Sequence, residues 1–190
     1  MPLSPLTLTP VIAANLLATG HTGTGMTQLA TGVALGTSEF LLQTAKVITV
    51  DVGSLGAGTS IAPLIVPQPL LLAGILAGFA AQQILGIFSP LTATGLANGL
   101  SLGLLTGILQ TNHVGVGTGT GVARVLGGSA IPLMLKGFKE AGMKGPGTEK
   151  KATAMGIALD IVFGSFSLPI AIVGSAAPSP GVGAGFGFIV

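Results

Sequence analysis

From Val52 to Ala123 the chain runs for 72 residues without one Asp, Glu, Lys or Arg, and His113 is the only titratable side chain in the stretch. Soluble domains place charge along every surface element, so a segment of this length cannot be spread over a free aqueous surface. Residues 1–38 and 161–190 lack the same four residue types. In all, 7 Lys and Arg stand against 5 Asp and Glu in 190 residues, which is 6% charged, where ordinary soluble domains carry about 25%. The chain is also 49% apolar, with 32 glycines and no Cys, Trp or Tyr, and its mean hydropathy is +0.87. Disorder driven by charge is excluded. The natural solvent of such a chain is lipid or other protein.

Other classes fall away quickly. A net charge of +2 is too small for a nucleic-acid footprint, despite a pI of about 9.3. Without Cys there are no disulfides and no thiolate chemistry. Met1-Pro2-Leu3-Ser4-Pro5 lacks the basic start of a signal peptide. Seven charges gather in 136–151, from Lys136 to Lys151 around Gly145-Pro146-Gly147, which reads as a solvated loop with a tight turn.

Apolar spacing predicts helices over 69–88, 91–110 and about 148–166, with Thr148 as the cap of the last, and weaker ones over 11–17 and 26–45. Val47 to Val52 is β-branched and alternating, so it predicts a strand, and 168–173 is a second candidate.

The most specific feature is a repeat. Thr19-Gly-His21-Thr-Gly23-Thr-Gly25 matches Thr111-Asn-His113-Val-Gly115-Val-Gly117 at an offset of 92 residues, and Gly181, Gly183 and Gly185 close a looser third copy without a His. In an extended strand, alternate residues face the same side, so G-x-G-x-G strips one face bare and lets a neighbouring backbone approach. Gly23, Gly25, Gly115, Gly117, Gly181, Gly183 and Gly185 are therefore expected as packing or interface positions. His21 and His113 are expected to hydrogen-bond that backbone, since two imidazoles with no nearby carboxylate are too few for a metal. None of the copies carries the GK[ST] of a phosphate loop. No Ser or Thr is accompanied by a base and an orienting acid, so no catalytic, cofactor-binding or metal residue is expected and the chain does not read as an enzyme. Asp160, within an apolar helix, needs a basic partner or a role as a helix-packing acceptor.

In its helix-then-GxGxG repeats over 10–38, 95–130 and 152–190, and in its Ala, Gly and Thr content, the chain resembles small virion proteins of tailed, contractile-tail phages, above all baseplate and tail-tip components. That resemblance implies a structural role in attachment or envelope penetration. It also implies virion proteins or copies of the chain as partners, the host membrane during penetration, and a place in the tail. PAAR-repeat tip proteins cap trimeric spikes with a three-fold pseudo-repeat; this chain lacks their PAAR motif and their His and Cys ligands.

The expectation is a mainly helical α+β fold whose pseudo-repeats each set an apolar helix before a glycine-rich strand or loop. It forms one domain over 1–190, with an apolar helical insertion at 61–90 and a charged loop at 136–151. Its expected function is that of a structural subunit without cofactor, nucleic acid or small-molecule substrate. The alternative is a small integral membrane protein of two to four spans, a pore-forming or scaffolding subunit, because two uncharged 20-residue segments lie in tandem.

Overall fold

The structure, a computed structural model, describes side chains for residues 4–38, 67–103 and 130–162, and backbone alone for the further helix and strand residues named below. Six helices make up the part with side chains: α1 Pro5–Ala18, α2 Thr24–Thr44, α3 Gln68–Ala81, α4 Ser89–Leu105, α5 Ile131–Glu140 and α6 Pro146–Ser165. Each packs on its neighbours in the chain, and α6 returns to α1, so the helices form a closed ring. They pair as three hairpins, α1–α2, α3–α4 and α5–α6.

Local chemistry sets the helix ends. Ser4 caps α1, its hydroxyl accepting the Thr7 N–H at 3.3 Å, with Pro5 in the first turn. Every hairpin turns in the same way. Gly20, Gln83 and Gly142 adopt positive φ (87°, 57° and 84°) just past the first helix of each pair. The next N–H reaches back across the turn: His21 to the Leu16 carbonyl at 2.9 Å, Ile84 to Phe79 at 2.9 Å and Met143 to Phe138 at 3.0 Å. This is the left-handed helix stop known as the Schellman motif. Gln83 fills a position that usually requires Gly, so the helix expected over 69–88 ends at Ala81.

Counting from that stop exposes a three-fold repeat within the helices. Leu16, Phe79 and Phe138 are equivalent and fully buried; so are Ala30, Ala93 and Ala152 on the second helices. The offsets are 63 residues from Gly20 to Gln83 and 59 from Gln83 to Gly142. Ala30, Ala93 and Ala152 bring the second helices close to the core, which Phe79, Phe138, Leu71, Ile75 and Met134 fill.

The expected α+β class does not hold for this part of the chain. The part of the chain with described side chains is 81% helix and contains no strand and no sheet, which does not fit an α+β fold with glycine-rich strands. The physical reason lies in the helices' own glycines. Along the α2–α3 seam, a Cβ on Gly36 would lie 2.5 Å from the Gly74 carbonyl oxygen, and one on Gly78 would strike the Gly32 carbonyl. Along α4–α5, Gly95, Gly99 and Gly137 interlock similarly, with a Gly99 Cβ 2.6 Å from the Met134 sulfur. Helix axes this close exclude any other layer between them, and the bared backbone that GxGxG was expected to provide is provided by helix faces instead. In the third seam the matching positions are Ala154, Ala158 and Asn15.

Outside that part, backbone alone is described for β1 Lys46–Ser54, β2 Ala57–Ala62, β3 Leu64–Ile65, β4 Ile108–Val114, β5 Val116–Arg124, β6 Leu168–Ser175 and β7 Gly181–Ile189. These segments pair antiparallel in the order β2-β4-β5-β6-β7-β1-β3, with β1 also pairing β2. They follow α2, α4 and α6, at the end of the ring away from the hairpin loops.

Candidate functional site: the hairpin-loop end

All three interhelical loops meet at one end of the ring. A Cβ on Gly20 would lie 3.7 Å from the Lys150 ammonium, which ties the α1–α2 loop to the start of α6. A groove of about 370 Å³ joins the start of α2 (Gly25, Gln28, Leu29), the α3–α4 loop (Gln83, Leu85, Phe88) and Lys151 of α6.

The repeat allows the loops to be compared position by position. One residue past the left-handed stop stand His21, Ile84 and Met143, all half-buried. In Ile84 and Met143 this is the hydrophobic contact that accompanies a Schellman stop; His21 puts an imidazole into the same apolar slot. Burial, then the positive charge of Lys151, pushes His21 below its ordinary value, Lys150 adds in the same direction, and the backbone hydrogen bond at Leu16 opposes them. Its Nδ1 lies 3.2 Å from the Thr19 hydroxyl. Burial likewise lowers Lys151.

Beyond that slot the loops diverge. At the next exposed positions the first loop has Thr22, Thr24 and Gly25, and the third has Lys144, Pro146 and Gly147. The α3–α4 loop has Leu85, Ile87 and Phe88, exposed by 78%, 85% and 70%. Since two of the three loops make the same turn with polar or small residues there, folding does not require these apolar side chains. The end is also cationic: Lys139, Lys144, Lys150 and Lys151 stand against Glu149, while Glu140 lies 3.8 Å from Lys136.

Gly23 (φ 95°) and Gly25 lie at the start of α2 with nothing among the described residues within 4 Å of a Cβ on either, so neither is a packing face against those residues. His113 lies in β4, opposite Gly58 and Gly119. The 92-residue offset thus pairs a helix-loop residue with a strand residue, and His21 and His113 sit in different elements. Gly117 pairs Gly174, Gly181 pairs Gly53, Gly183 pairs Asp51, and Gly185 pairs Thr49 and Gly174. Gly115 lies outside the described residues. The charged segment 136–151 comprises the end of α5, the loop and the first turns of α6, and 61–90 contributes α3, one wall of the ring.

Asp160 is a helix-packing acceptor: its two carboxylate oxygens accept the Ala130 N–H at 3.0 and 3.2 Å, at the start of α5. A carboxylate there also meets the positive end of the helix dipole. A cavity of about 20 Å³ lies inside the ring among Leu8, Ile12, Leu96, Leu100, Met155 and the buried Thr37, whose hydroxyl has no partner among the described residues. Among the described residues no three His, Asp or Glu side chains come together as metal ligands, and no helix is long and apolar enough to cross a membrane.

No protein-family model, no curated protein and no solved structure matches this chain. Leu85, Ile87 and Phe88 are hidden in the sequence because they close what reads as one 20-residue apolar helix. Aligning Gly23, Gly86 and Gly145 sets them apart.

Proposed function

We propose that this chain is a non-enzymatic structural subunit of a large assembly, a phage tail or baseplate component serving in attachment or envelope penetration. One observation supports this most: a ring whose core is already filled still turns large apolar side chains outward on several walls. Leu6 and Leu17 on α1, Leu70 and Leu76 on α3, Leu91 on α4 and Ile161 on α6 are exposed, Leu6 by 88%. Distributed over separate walls of a body this poor in charge, they call for neighbours on several sides rather than one ligand. The tail or baseplate identity comes from the sequence resemblance.

The test is fractionation of the tagged full chain made in its native setting. Recovery in detergent-resistant high-mass particles is the expected result. A monodisperse 18.5 kDa monomer at physiological salt would overturn the reading. The alternative with two to four membrane spans predicts recovery only in detergent-solubilised membranes; no described helix favours it.

A further inference from the structure

We propose that the α3–α4 loop is a membrane-contact tip, inserting Leu85, Ile87 and Phe88 at the headgroup–acyl boundary of an anionic bilayer while Lys144 and Lys150 engage the headgroups. The inference deepens the subunit reading by naming a partner for one end of the chain, and it rests on that reading for which membrane is met.

The repeat supplies an internal control. Three loops make the same left-handed turn, and the two that carry Thr22-Gly23-Thr24 and Lys144-Gly145-Pro146 show what the turn itself needs. Leu85, Ile87 and Phe88 are in excess of that need and stand 70–85% exposed, with Leu85 and Phe88 on the wall of the groove that reaches Lys151. Three large apolar side chains clustered in one exposed loop fit the acyl boundary of a bilayer, which has no fixed shape to match.

Charge argues the same way. Lys144 and Lys150 are exposed and neither has an ion-pair partner among the described residues, and Lys151 lines the same groove as Leu85 and Phe88. Apolar side chains rimmed by lysines are the pattern of segments that lie in the interface of anionic membranes. Each lysine near such a surface adds roughly fivefold to binding.

The full chain is mixed with vesicles of phosphatidylcholine containing about 30% phosphatidylserine, or of phosphatidylcholine alone, and floated on a density gradient so that aggregates sediment away from bound protein. The expected result is flotation with the anionic vesicles. The Leu85→Ser/Ile87→Ser/Phe88→Ser variant, whose helical circular dichroism should match the parent because all three residues are exposed, should bind about a hundredfold more weakly. Lys144→Glu/Lys150→Glu should lose tenfold or more and show weaker salt dependence. Absence of flotation by the folded parent overturns the proposal, as does equal binding by the apolar triple variant or equal binding to both vesicle types. If the parent ignores vesicles but the triple variant fails to enter particles, the tip is a protein contact: the lipid proposal falls and the subunit reading stands. Good flotation by a parent that enters no particle upholds the lipid contact and overturns the subunit reading.

Discussion

Replacing Gly36 by Ala tests the seam on which the ring depends. The new Cβ would sit 2.5 Å from both the Gly74 carbonyl oxygen and the Ile75 Cα, where ordinary contact needs about 3.5 Å. Both obstacles are backbone, so no side chain can rotate away. α2 and α3 must separate by about 1 Å along a seam that also holds Gly32 and Gly78. Overpacking of this kind costs about 1–3 kcal/mol, with a rigid backbone at the upper end. Against it stands the helix preference of Ala over Gly, about 1 kcal/mol. The net expectation is a loss of about 1–2 kcal/mol, or a midpoint lowered by about 2–8 °C in a chain of this size. Gly99→Ala, at the equivalent place in the α4–α5 seam, should behave alike, because its Cβ would meet Met134 at 2.6–2.8 Å. Gly103→Ala is the control: its nearest obstacle is Leu159 Cδ1 at 4.0 Å, so it should gain about 0.5–1 kcal/mol. Thermal unfolding followed by circular dichroism at one protein concentration reads all three. If Gly36→Ala is as stabilising as Gly103→Ala, the close-approach account of the ring is refuted.

Three further outcomes follow from single contacts. Because burial holds His21 below its ordinary 6.5, the folded chain binds its proton less readily than the unfolded one. Stability is therefore full above about pH 6.5 and falls as pH drops through the folded value. His21→Met, the residue that Met143 supplies in the third hairpin, should flatten a midpoint-versus-pH curve between about pH 5 and 7.5; an unchanged curve would contradict the assignment. Asp160→Ala strands the Ala130 N–H and should cost about 1–3 kcal/mol in denaturant unfolding, with Asp160→Ser, the residue type at the equivalent Ser38 and Ser101, losing less. Thr37→Val removes a buried hydroxyl without a partner among the described residues, at nearly constant volume, and should stabilise by about 1 kcal/mol; a loss of similar size would mean that the hydroxyl is paired.

Several helix positions are legible from the residues alone. The spacing of Ala152, Met155, Ala158, Leu159 and Val162 marks α6, and the missing charge marks a chain that needs protein or lipid neighbours. Local pattern and tertiary context diverge elsewhere. GxGxG suggests the packing device because alternation suggests a strand, whereas Gly32, Gly36, Gly78, Gly95, Gly99 and Gly137, scattered at helical spacing, make the close contacts. An isolated helical glycine looks like a weakness until its partner is known. Gln83 carries no mark of the left-handed conformation that ends α3, so Leu85, Ile87 and Phe88 pass for the end of an apolar helix.

Composition and periodicity determined how much apolar surface the chain must hide and where most of its helices run, because hydrophobicity and helix propensity act locally. Which glycines meet, which end gathers the lysines, and which of three equivalent loops bears an apolar tip were decided only when six helices closed into a ring. Those properties depend on distances between residues far apart in the sequence, such as Gly36 with Gly74 and Gly20 with Lys150, and no local preference encodes such a distance.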